Sequence, residues 1–170
     1  MAAAQGNDDA KELSASSSIE AIQKRIEKVS NETIDFLVTR PWWDKTFDAL
    51  QVITVELVPN THVVAHHDPI SMVCAKLLCG SSEKVYQTFV SDSKDVIIKK
   101  GTPGDCHNNL RRLLQKNIVD RWLIGFALSD DGLWRHHSWG LMKNGQLMET
   151  TKVRLIYLGV DVDRLPAVAE

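Results

Sequence analysis

The sequence predicts an α+β fold: N-terminal helices, then an antiparallel sheet packed on a helix that carries a cysteine at its N-terminus. Three observations carry this expectation. Apolar residues recur at helical spacing early in the chain, as in Ile19, Ile22, Ile26 and Val29. From Val85 onward short apolar or alternating runs replace that period, with Trp122, Ile124, Phe126 and Leu128 on one face of a strand. A turn cluster, Gly101-Thr102-Pro103-Gly104, leads into an isolated helical stretch that opens at Cys106.

Residues 1–17 are Ala, Gly, Asp, Lys and Ser without periodicity and read as a disordered tail. Residues 18–165 then form a single globular domain, mainly helical over 18–80 and helix-plus-sheet over 85–160. An amphipathic helix begins at Ser18. A second, Thr33 to Thr39, is stopped by Pro41, because proline disfavours helix in the residue before it. Trp42 and Trp43 read as a core anchor between two helices. Asp44 to Leu57 has helical spacing, although Val52-Ile53-Thr54-Val55 favours strand.

His62 to Ala65 is a short strand candidate. Asp68-Pro69 pairs a capping carboxylate with a first-turn proline, so a helix runs from here to about Leu78 and ends at Gly80, a residue that tolerates the left-handed cap conformation. Strands are expected at Val85–Val90, Val96–Lys99, Arg121–Leu128, Trp134–Met142, Gln146–Thr151 and Val153–Tyr157.

A net charge of -2 gives no global reason to expect nucleic acid or an anionic membrane as partner. Lys99-Lys100 and Arg111-Arg112 read as solvated faces rather than a phosphate track. No apolar run is long enough to cross a bilayer, and no basic-then-apolar leader is visible. The expected setting is the cytoplasm or another reducing compartment, where Cys74, Cys79 and Cys106 stay thiols.

Many residues have metal-binding chemistry: His62, His66, His67, Asp68, Cys74, Cys79, Cys106, His107, His136 and His137. They show neither a Cys-x-x-Cys pair nor a His-Glu-x-x-His motif, so no metal or cofactor is expected. Cys74 and Cys79 read as core.

Cys106 occupies the first turn of its helix, where unpaired N–H groups and the helix dipole favour a thiolate. Leu110, Leu113 and Leu114 follow at four, seven and eight residues, so the cysteine shares the buried face. The neighbouring Asp105 carboxylate opposes the thiolate unless it turns away as a cap.

Strand alternation puts Arg135, His137 and Trp139 on one face and Trp134, His136 and Ser138 on the other. His137 is the candidate base, with Trp139 covering one side of its ring, and His136 is the bland neighbour, satisfied or exposed. Glu149 is the candidate orienting carboxylate. A two-residue Asn144-Gly145 turn would put Glu149 on the wrong face. A three-residue Lys143-Asn144-Gly145 loop pairs Met142 with Gln146 and makes His137 and Glu149 diagonal neighbours, roughly 7 Å or less apart at Cβ. Glycine in third place is what that loop favours.

Cys106-His107-Asn108-Asn109, His137-Ser138-Trp139 and Glu149-Thr150 together resemble the core of the papain-like thiol enzymes, in particular their transglutaminase-like and cell-wall-peptidase-like branches. The resemblance covers about residues 100 to 160. It implies Cys106 as nucleophile, His137 as base and Glu149 as orienting group, with His107, Asn109 and Trp139 supporting the site. It also implies an oxyanion hole that includes the cysteine's own N–H. Glutamate at the third position departs from the commoner aspartate or asparagine.

The expected function is a thiol hydrolase that cleaves an amide or peptide bond through an acyl-enzyme. Its substrate would be a peptide, a protein or a small amide. Two alternatives remain: acyl transfer or transglutaminase-like crosslinking by the same residues, and a catalytically inactive peptide-binding domain of the same fold.

Overall fold

A computed structural model describes residues 18–38, 43–66, 68–80 and 84–165. The tail before Ser18, the stop at Pro41, Trp42 and His67 lie outside these residues. The chain builds five helices among them: α1 (18–25), α2 (Asn31–Val38), α3 (Lys45–Leu57), α4 (Pro69–Cys79) and α5 (Cys106–Gln115). Seven strands form one sheet: β1 (His62–Val63), β2 (Tyr86–Phe89), β3 (Ile97–Ile98), β4 (Arg121–Leu128), β5 (Leu133–Leu141), β6 (Leu147–Glu149) and β7 (Ile156–Asp161). The architecture is mixed α+β, and among the described residues no helix is long and apolar enough to cross a membrane.

Local chemistry explains the helix boundaries. In α3 the Asp44 side chain accepts from Thr46 N at 2.9 Å and Phe47 N at 3.1 Å. This capped start carries the helix through the β-branched run, whose Thr54 hydroxyl donates back to Leu50 O at 2.9 Å. Asp68 caps α4 through Ser71 N at 2.8 Å, with Pro69 in the first turn. Gly80 closes that helix as expected, with φ of -83°, and does not use the left-handed conformation open to glycine. Helix α1 ends before Ile26 and Val29 are reached. The chain leaves it so that Glu27 N can donate to Asp130 O at 2.5 Å.

The sheet runs β2-β7-β4-β5-β6-β3, with β1 added beside β5. It is antiparallel except at two places that local reading does not reach: β1 pairs with β5, and β3 with β6, in parallel. The β3–β6 pairing continues beyond the strands, with Lys99 N donating to Glu149 O at 2.9 Å and Gly101 N to Thr150 O at 2.8 Å. The last strand is Ile156–Asp161 rather than Val153–Tyr157. Gly159 sits in its middle for a packing reason. A Cβ there would lie 2.4 Å from Trp139 Cη2 and 2.6 Å from Ile124 O.

Strand alternation divides the core. On one face Ile124, Phe126, Leu128, Trp134, Ile156, Leu158 and Val160 pack against Phe47, Leu50, Cys74 and Ala75 of α3 and α4. Helix α5 covers the same face further along, and a Cβ on Gly140 would meet Leu110 and Val119. On the opposite face Leu123, Ala127, Trp139, Leu147 and Tyr157 pack with Val90 and Val96. Cys74 is fully buried, and burial and the nearby Asp68 charge push its thiol up to about 12. Cys79 is half-buried and donates to Thr46 O at 3.6 Å.

Candidate active site

The β5–β6 turn sets the geometry of the site. Met142 N donates to Gln146 O at 2.9 Å, and Gly140 and Leu141 lie opposite Met148 and Leu147. The loop is therefore the three-residue Lys143-Asn144-Gly145, with Gly145 at φ of +82°. In this register Glu149 stands on the His137 face of the sheet. His137 Nε2 is 2.8 Å from Glu149 Oε2, and both side chains are buried. An ionised carboxylate only accepts, so Nε2 carries the hydrogen and Nδ1 is the nitrogen left free for other work.

Glu149 is held more completely than the sequence suggests. Its Oε1 accepts from Thr150 N at 2.7 Å, Thr151 N at 2.8 Å and the Thr151 hydroxyl at 3.0 Å. Its Oε2 also accepts from the Tyr157 hydroxyl at 2.9 Å. Burial alone would raise this carboxyl. The bond to His137, the His137 charge and the Thr151 and Tyr157 donors hold it below its ordinary value. Tyr157 is pushed up by burial and the Glu149 charge, so it remains a donor.

Cys106 lies at the tip of α5 and is 8% exposed. The helix packs on the opposite face of the sheet from His137. Yet the two side chains interact, at a stretch of β5 that among the described residues has no strand pairing on one edge, between Trp134, paired with β1, and Gly140, paired with β6. Burial resists a charge on the sulfur, but hydrogen bonds with the His107 and His137 side chains, and their positive charge, bring the thiol down to about 5. Burial likewise resists a charge on His137. Its hydrogen bonds to Cys106 and Glu149, and their negative charge, raise it to about 8.

Asp105 precedes the helix at φ of -112° without a side-chain cap bond. Its carboxylate turns instead to Asn108 Nδ2 at 2.6 Å and lies 3.9 Å from Arg112. The first-turn N–H groups, which have no acceptor inside a helix, are therefore not claimed by this side chain. Asn109 pins the loop before the helix, donating to Thr102 O at 2.8 Å and accepting from Thr102 N at 3.1 Å. Trp139 stacks near His137, with ring centroids 6.4 Å apart and planes 19° apart.

The expectation for His136 needs correction, since it is neither satisfied nor exposed. Its ring is half-buried, 4.9 Å from that of His107 and 5.7 Å from that of Phe126, and its buried Nε2 has no partner among the described residues. Burial, then the His107 charge, push it down to about 3 against the pull of Asp68.

Three contributors were not foreseen: Tyr157, Ser138 and Trp122. Ser138 Oγ lies 2.5 Å from His107 Nδ1 and accepts from Trp122 Nε1 at 3.0 Å. Strand alternation, which puts Ser138 on the face opposite His137, was the available signal. Among the described residues no group of three or more His, Cys, Asp or Glu is placed to hold a metal ion. The chain matches no protein-family model, no curated protein and no solved structure.

Proposed function

We propose that this protein is a thiol hydrolase that cleaves an amide or peptide bond through Cys106, His137 and Glu149, in a core of papain or transglutaminase type. The observation that carries this reading is the pairing at one point of a sulfur drawn down to about 5 and an imidazole drawn up to about 8, with a buried carboxylate 2.8 Å behind the ring. Between those values the pair is thiolate and imidazolium, the reactive form of a cysteine nucleophile.

In the reaction the Cys106 thiolate adds to the carbonyl carbon. The oxyanion is received by N–H groups at the tip of α5, and His137 delivers its proton to the leaving amine. Water, deprotonated by His137, then attacks the thioester, releases the acid and restores the thiol pair. An amine in place of water gives acyl transfer, and the same residues serve both outcomes.

The test is iodoacetamide labelling across pH, read at each cysteine by peptide mass spectrometry. A p-nitrophenyl ester, quenched in acid, is then used to capture the acyl-enzyme as a mass increment. Cys106 reacts quickly at pH 6, Cys74 does not, and the increment disappears in Cys106→Ala. Slow labelling of Cys106 with no increment in the folded protein would leave the peptide-binding reading in its place.

A further inference from the structure

Two histidine side chains, His107 and His137, draw the Cys106 thiol down through hydrogen bonding and charge. They come from opposite faces of β5, and what stands behind each ring differs. Behind His137 is a carboxylate. Behind His107 is a hydroxyl, and the difference fixes what each ring can do.

Ser138 is fully buried, and its Oγ has two partners among the described residues. The indole N–H of Trp122 can only donate, so Oγ accepts at that side. The hydroxyl hydrogen then has one acceptor in reach, His107 Nδ1 at 2.5 Å. An Nδ1 that accepts leaves the ring hydrogen of the neutral form on Nε2. The other tautomer would aim two N–H groups at one hydroxyl and strand its O–H in a buried site. Even a doubly protonated ring keeps a hydrogen on Nε2, so Nε2 is a donor in either charge state.

We infer that His107 is a fixed hydrogen-bond donor to the Cys106 thiolate through Nε2–H, with Ser138 and Trp122 as the residues that hold it in that role. This rests on the reading of Cys106 as nucleophile. His137 has Nδ1 free and takes the thiol proton. His107 already bears a hydrogen on the nitrogen left after Ser138, so it takes none. Two adjacent imidazoles thereby divide the work, one accepting a proton and one stabilising the charge that results. The other ionisable groups near this pair are His136, whose ring is against His107, and Asp68 and His66, which act on His136. Asp105 is engaged by Asn108.

The test compares the pH midpoint of Cys106 alkylation by iodoacetamide in the full-length protein, His107→Gln, His107→Ala and His137→Ala. Glutamine offers an N–H donor at about the reach of Nε2 but cannot act as a base. His107→Ala moves the midpoint up by about one to two pH units, or ~2- to 10-fold less thiolate at pH 6, while His107→Gln stays close to wild type. If His107→Gln moves as far as His107→Ala, or neither moves, the donor role is overturned. Long-range 1H–15N correlation spectra of the unmutated protein supply a readout that needs no variant. Neutral His107 must show its hydrogen on Nε2, and a signal on Nδ1 refutes the proposal. A midpoint unmoved in His137→Ala would instead sink the base assignment, without touching the His107 comparison.

Discussion

Tyr157 and His137 meet at one carboxylate oxygen: Glu149 Oε2 accepts from the phenol at 2.9 Å and from the imidazole at 2.8 Å. The phenol oxygen in turn accepts from Arg154 N at 2.9 Å. Tyr157→Phe therefore removes two hydrogen bonds from a buried position, costing about 1–2 kcal/mol in urea unfolding. With one donor fewer, the carboxylate attracts the imidazolium more strongly. The upper limb of the pH–activity curve should hold or move upward, and a downward move would show that the phenol does not act through Glu149.

The directions of the Cys106 and His137 values predict a bell in kcat/KM, rising near pH 5 and falling near pH 8. The two limbs belong to the pair rather than to either residue. The signs for stability follow from the same values. The His137 contribution is fully present below its ordinary 6.5 and fades as pH rises through about 8. The Cys106 contribution is present above its ordinary 9.0 and is lost as pH falls through about 5. A curve still rising at pH 9 would contradict the ion pair.

Glu149→Gln is a sharper test than a truncation. Thr150 and Thr151 still need an acceptor at Oε1, which turns the new amide nitrogen toward His137. His137 Nε2 must then accept, and the ring hydrogen moves to Nδ1, the nitrogen that proposed base catalysis needs bare. Activity should fall by ~10²-fold or more in kcat, with the upper pH limb moved down and folding retained. Wild-type kcat in this variant would remove Glu149 from the site.

His136 carries a prediction of opposite sign. Held near 3 in the folded protein, it stays neutral while the unfolded chain takes up a proton below its ordinary 6.5. Stability is therefore lost as pH falls from 6.5 toward 3. His136→Phe removes this linkage and flattens the stability profile in that window by up to ~1.4 kcal/mol per pH unit. Alkylation of Cys106 should remain within a few-fold of wild type. A profile as steep as before would place the acid sensitivity elsewhere.

What the sequence reveals here is what neighbouring residues decide. The length of the Lys143-Asn144-Gly145 loop and the glycine at its end set the β5–β6 register, and from that the approach of His137 to Glu149 follows. The Asp68-Pro69 start and the buried stripe of α5 are local in the same sense. The parallel partners β1 and β3 are joined to β5 and β6 across long stretches of chain, and no short-range pattern announces them. The sequence reads the final strand as ending at Tyr157, ahead of a polar tail, whereas the strand runs on through Gly159 to Asp161. Only the indole of Trp139, filling the space above Gly159, shows why the strand continues. His136 was misjudged for a related reason. Its surroundings come from α5 and β4, and a pair of adjacent histidines says nothing of them.

The ladder from β3 through Lys99 and Gly101 ties the chain entering α5 to the chain carrying Glu149. Cysteine and carboxylate are thus geared together like two teeth on one rack. Sliding the rack by a residue carries the cysteine about 3.3 Å past its partner and turns every side chain over. The count of residues between Ile98 and Cys106 works as a key cut to length. A deletion of one there, in a stretch that supplies none of the three side chains, would disengage them while leaving each in place on its own element.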